Sequence, residues 1–227
     1  MDGKNIAEVF SNCQFRLKLR IRQGHPLCRG IDPAVDKALD EAASALTKAG
    51  YEVEFATPPS IKAIYKTYMG IMFTEMSLVK DSVVNKFGSG QLRRTLDHYL
   101  QLQPPLGLAE YAQGLARRSH FHREWDQFQR RYPIILSPLL TTPPYIAGAD
   151  LVSVEVLESV LDSACCMAAM NFLDLPSMSL PTQVRALGVP IGVQLIGPRY
   201  GEQHVLEAAQ AVEDTCGTPS DELLISA

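Results

Sequence analysis

The stretch that decides the fold is Gly188-Val189-Pro190-Ile191-Gly192-Val193-Gln194-Leu195-Ile196-Gly197. Its apolar residues run nearly unbroken from Ile191 to Ile196, with glycine at both outer ends. A short apolar run bounded by turn residues reads as a strand buried on both faces. Pro190 can open such a strand without forfeiting an interior ladder bond, and Gly192 permits a close backbone approach. Val193, Leu195 and Ile196 then fill the two faces of a sheet. Working outward, similar strand-like runs fall at 177–180 and 133–137, with helical patterns at 153–169 and 202–214.

Farther upstream, Phe15, Leu17, Leu19 and Ile21 alternate with Arg16, Lys18, Arg20 and Arg22, the period of a strand with one wet face. Asp32-Pro33 reads as an N-cap followed by proline at the first helical position. The helix carries Val35, Leu39, Ala42, Ala43 and Leu46 at spacings of three and four, and Gly50 occupies its C′ slot. Tyr51, Val53 and Phe55 alternate with two glutamates as a second strand, which closes at Thr57-Pro58-Pro59. Strand, helix and strand make a βαβ unit, whose crossover is expected to be right-handed. From 60 to 131 the pattern is helical, interrupted at Gly88-Ser89-Gly90 and Pro104-Pro105, and its longest helix spans 108–131. The expectation is an α/β fold: a mixed, mostly buried β-sheet flanked by helices, with a helical insert at about 60–131. Residues 1–14 are expected to be a poorly ordered leader and 15–227 one domain.

Composition narrows the function classes. The chain has 227 residues, 46% of them apolar and 20% charged, with a formal net charge of −4. That is ordinary globular composition. No basic stripe with interleaved aromatics appears, which argues against a nucleic-acid partner. No apolar run reaches the length of a membrane span or a signal peptide, so no membrane partner is expected. The five cysteines are irregularly spaced, and Cys165 and Cys166 are neighbours on one helical pattern. They form neither a disulfide framework nor a metal knuckle, which favours a reducing compartment and makes the cytoplasm the expected location.

The candidate chemical motifs are weak. Ser77-Leu78-Val79-Lys80 has S-x-x-K spacing, yet it lies in a helical run without its companion motifs, where Ser and Lys are simply neighbours. His120 and His122 point about 200° apart on a helix and cannot share a metal ion. No nucleophile elbow, phosphate loop or dinucleotide fingerprint is present. No cofactor, metal site or catalytic residue is expected from these residues.

Resemblance supplies more. The segment Met170-Asn171-Phe172-Leu173-Asp174-Leu175-Pro176-Ser177-Met178-Ser179-Leu180-Pro181, followed by the string at 188–197, resembles the C-terminal signature of the amidase-signature family. The strand at 132–137 running into Pro138 and Thr141-Thr142-Pro143-Pro144 also resembles it, as do the helix at 201–213 and the segment 30–59. The resemblance covers the chain from about residue 15 onward. It implies a partial amidase-signature fold and hydrolysis of a carboxamide C–N bond to a carboxylate and ammonia or an amine. It also implies a serine nucleophile, a second serine in a cis peptide, a lysine and a glycine/serine-rich oxyanion loop, all in the family's N-terminal half. None of these can be placed on this sequence.

The chain is therefore expected to be the truncated C-terminal half of an amidase, inactive alone, with a missing N-terminal half as partner. A small-molecule amide would bind only once that half is supplied. By the same resemblance, Thr141, Thr142, Pro143 and Tyr145 are expected to wall the substrate pocket, although a plain proline-rich connector fits that loop equally well. The alternatives are one subunit of a split amidase and a non-catalytic binding module. Asp174 and Gln183 stand where the family has glycine, and a non-glycine residue there carries a cost if the turn needs positive φ.

Overall fold

The computed structural model describes residues 30–186 and 188–217. The expected leader and the cation-bearing strand at 15–22 lie outside the described residues. The described part begins with α1 (Pro33–Lys48), and its boundaries follow its caps. The Asp32 carboxylate accepts from Ala34 N at 2.8 Å, Pro33 opens the first turn, and Gly50 takes φ +92° just past the end. One face of α1 is fully apolar, with Val35, Ala38, Leu39, Ala42 and Leu46 all buried.

Residues 51–57 pair with no described strand. The other half of the expected βαβ unit falls outside the described residues, so the handedness of its crossover does too.

The helical stretch divides into α2 (Ile61–Val79), α3 (Gly90–Leu102) and α4 (Leu108–Arg131). A π-turn at Lys80–Val84 and a short helical tail at Asn85–Phe87 connect α2 to α3. The breaks coincide with Gly88 and with Pro104-Pro105. Ser89 caps α3, accepting from Leu92 N at 3.1 Å. In α4, Phe121 and Trp125 are buried, and the indole Nε1 donates to Pro59 O at 3.1 Å, tying this helix to the loop after α1.

The sheet has strand order β1-β3-β2, from β1 (Ile135–Pro138), β2 (Ser177–Ala186) and β3 (Val189–Ile196). Every ladder among the described residues is antiparallel: Leu136 pairs with Leu195, and Leu180 with Val193. Gly188, at φ +81°, makes the hairpin between Ala186 and Val189. A register shift between Pro181 and Arg185 bends β2, where Thr182 Oγ1 donates to Ile191 O at 3.0 Å. The central strand is buried from Val193 to Ile196, as its composition predicts. Strand β2 is less covered than a mostly buried sheet implies, for Ser177, Ser179 and Pro181 are exposed.

Three helices complete the architecture: α5 (Val154–Ser163), α6 (Cys165–Leu173) and α7 (Glu202–Cys216). Helices α1 and α7 pack on each other and on β2 and β3, while α2, α4 and α6 pack together. The single helix expected over 153–169 is corrected here. It is two helices, bent by 64°. The break falls at Ala164, and beside it Ser163 O accepts from Thr141 N at 2.9 Å. Among the described residues no single helix is long and apolar enough to cross a membrane.

Candidate functional site

The proline-rich loop after β1 is fixed at both ends. Thr141 is buried, and its backbone bridges two helices: N donates to Ser163 O at 2.9 Å, and O accepts from Asp32 N at 2.9 Å. At the far end, Asp150 Oδ2 accepts from Thr95 Oγ1 at 2.9 Å and Asp150 O lies 3.3 Å from His98 Nδ1, both on α3. Between these anchors Ile146 is exposed, and Ala149 N turns back onto Ile146 O at 3.1 Å.

Within the loop, Thr142 and Pro143 are half-buried, and Thr142 Oγ1 is buried with no hydrogen-bond partner among the described residues. Leaving a hydroxyl in that state costs about 1–3 kcal/mol unless something else reaches it. The Tyr145 hydroxyl donates to Ser159 O at 3.3 Å, which lays the ring along α5. Thr141 thus serves as a pin, Thr142 and Pro143 follow it half-buried, and Tyr145 lies against α5. In the sequence these residues are marked by their proline content and by the family resemblance, and by no catalytic motif.

The sheet itself carries a polar row. Ser137, Gln194 and Ser179 stand side by side across the three strands, and Ser137 and Gln194 are buried. Ser137 Oγ lies 3.5 Å from Gln194 Oε1. A hydroxyl beside an amide has no base to activate it, so this row orients groups and does not attack them. Gln194 carries no signal of its own in the sequence, and only register places it beside two serines.

On the other side of α5, Tyr65, Met69, Phe73 and Leu161 line a cleft of about 180 Å³. The Tyr65 hydroxyl donates to Asp162 Oδ1 at 3.3 Å. Burial first, and then the Asp162 charge, push the phenol well above its ordinary value of 10.0, so Tyr65 is a hydrogen-bond donor and not a base at neutral pH.

The remaining motifs separate. Ser77 Oγ turns back to Thr74 O at 2.6 Å, whereas Lys80 Nζ pairs with Asp97 Oδ1 at 2.6 Å, so the S-x-x-K residues serve different partners. His120 pairs with Glu124 at 3.5 Å along α4, and His122 faces a different cleft. Among the described residues no group of three or more His, Cys, Asp or Glu converges on a point.

Comparison with known proteins places this geometry. The family model described as Amidase matches residues 16–206. An indoleacetamide hydrolase of Bradyrhizobium diazoefficiens is 31% identical over 188 residues, covering 82% of this chain and 36% of that protein. A glutamyl-tRNA(Gln) amidotransferase subunit of Clostridium acetobutylicum is 26% identical over 207 residues, covering 81% of this chain and 43% of the relative. Among solved structures, 6-aminohexanoate cyclic dimer hydrolase superposes with a TM-score of 0.72 at 18% identity, over 96% of this chain and 48% of that one. Fatty acid amide hydrolase does so with a TM-score of 0.65 at 19% identity, over 90% and 40%. The chain therefore spans less than half the length of each of these proteins.

Proposed function

The chain belongs to the amidase family, and on that premise we propose that it forms the C-terminal wall of an amide-hydrolysing enzyme whose nucleophile lies outside this sequence. The observation that carries the reading is the doubly pinned loop: Thr141 and Asp150 hold it rigid, and the Thr142 hydroxyl between them is left buried without a partner. A rigid loop presenting one unsatisfied polar atom is suited to positioning a substrate group. It does not supply a base. Thr142, Pro143 and Tyr145 are the residues assigned to contact the amide, with Thr141 setting their position.

In this reading a serine from the complementary half attacks the carbonyl carbon, the C–N bond breaks with proton transfer to the departing nitrogen, and water releases the carboxylate. The described residues add shape and hydrogen bonds to that sequence. The relative named for indoleacetamide makes indole-3-acetamide the first substrate to test, beside simple aliphatic amides. The purified chain alone is expected to release no ammonia above buffer from any of them. Enzymatic turnover by the lone chain would refute the reading.

The relatives named as parts of an amidotransferase favour one further form of the same idea, in which the complementary half is a separate chain. Binding of such a chain in a pull-down supports it, and failure to bind removes it.

A further inference from the structure

We propose that the cleft between α4, the end of α6 and the β3–α7 loop binds a small oxyanion, phosphate or carboxylate, with Arg199 as its principal ligand. This site is separate from the loop assigned to the amide and does not depend on it. The cleft measures about 410 Å³, with Arg118, Ser119 and His122 on the α4 side and Arg199 and Tyr200 on the loop side. Two arginines, two hydroxyls and an imidazole are thus gathered from two distant parts of the sequence, with Asp174 and Glu202 also in the lining.

The lining sets two arginines against two carboxylates, Asp174 and Glu202, and what matters is which of the arginines is already committed. Asp174 is engaged by Arg118, whose Nε also donates to Phe172 O at 2.6 Å and whose guanidinium lies over the Phe172 ring. Arg118 is thereby held in one orientation. Arg199 makes no ion pair with any described residue, and Glu202 is the remaining lining carboxylate.

His122 senses the field of all these groups. Burial first, then Arg199, then Arg118 hold its imidazole below the ordinary 6.5, although Asp126 and Asp174 act in the opposite direction. The two arginines therefore outweigh the two carboxylates at this point in the cleft.

The cleft is also rigid. Gln129 Nε2 donates to Gly197 O at 2.9 Å, Gly197 N to Pro176 O at 2.9 Å, and Gly201 N to Pro198 O at 2.9 Å, so the loop carrying Arg199 is tied down on three sides. Two of the three non-glycine residues with positive φ among the described residues, Asp174 at 48° and Tyr200 at 61°, stand on its rim. Gly201 stands at the N-cap of α7 with no side-chain bond, and its O accepts from His204 N at 3.1 Å.

The test is an NMR titration of the His122 ring in the full chain, in chloride, inorganic phosphate and acetate at equal ionic strength. An oxyanion beside Arg199 cancels part of the field that opposes protonation, so the His122 midpoint rises. The expected result is a saturable rise of about 0.5 pH unit or more in phosphate or acetate that chloride does not produce. A response to phosphate alone assigns a phosphate ligand, and a response to acetate as well extends the class to carboxylates. Arg199→Gln, a change at an exposed position, should abolish the saturable rise. Calorimetry of phosphate binding to both proteins gives a second readout. Equal shifts in all three salts, or an undiminished response in Arg199→Gln, would overturn the proposal.

Discussion

Asp174 shows how one residue can be tolerated where glycine is the easy choice. Its backbone ends α6 in the left-handed region, at φ 48° and ψ 41°. That conformation costs an L-residue about 1–2 kcal/mol, less for Asp than for most. Arg118 offsets part of it by pairing with the carboxylate and donating to Phe172 O, one of the carbonyls the helix end leaves open. The Asp174 side chain is 68% exposed, and a pair so screened returns at most about 1 kcal/mol. Asp174→Gly should therefore raise stability by about 0.5–1 kcal/mol, and Asp174→Ala should lower it by about 1 kcal/mol. Urea denaturation of the three proteins measures both. A glycine variant clearly weaker than the parent would show that the ion pair outweighs the backbone term. The residue type was legible in sequence as a departure from the family pattern; the partner 56 residues away was not.

At the scale of elements, the junction of β3 and α7 depends on a close approach. A Cβ on Gly197 would sit 2.5 Å from Val205 Cγ2 and 3.1 Å from Gly201 O, and Val205 is buried. Gly197→Ala is expected to cost about 1–3 kcal/mol, read as a lowered thermal midpoint with the secondary structure retained. An unchanged midpoint would mean that α7 can slide away from the sheet. The elements most easily read in advance carry their own terminal signals: α1 has Asp32-Pro33 and Gly50, and α3 begins at the break Gly88-Ser89-Gly90. The division between α5 and α6 has no such marker, because Ala164 is neither glycine nor proline. Beside it Thr141 N donates to the Ser163 carbonyl, a contact between segments 22 residues apart that sequence does not display. The loop's proline content was visible in the same way, but not its two anchors or the orphaned Thr142 hydroxyl. The polar row on the sheet was hidden for a related reason: strand register alone brings Ser137, Gln194 and Ser179 together.

For the whole molecule, the question is whether these residues hold a fixed core without the rest of an amidase. Cys165, Cys166 and Cys216 are buried, with none in a disulfide, and burial first and then Glu41 push the Cys216 thiol up to about 11. A protonated thiol shielded by packing is a poor nucleophile. Alkylation at pH 8 followed by mass spectrometry should leave these three unmodified in the native chain and label them in denaturant. Rapid labelling without denaturant would indicate a loose, molten state. Exposed Leu78, Val79, Val83, Phe87 and Leu92 gather around the corner between α2 and α3, apolar surface that a docked partner could cover.

The most direct test of the account is ammonia release from indole-3-acetamide by this chain alone, and again after mixing with the serine-bearing N-terminal half of an amidase. The account predicts silence from the chain alone and turnover only in the mixture, lost when the added half carries alanine at its nucleophilic serine. Turnover by the chain alone, or turnover in the mixture that survives that alanine, would contradict it.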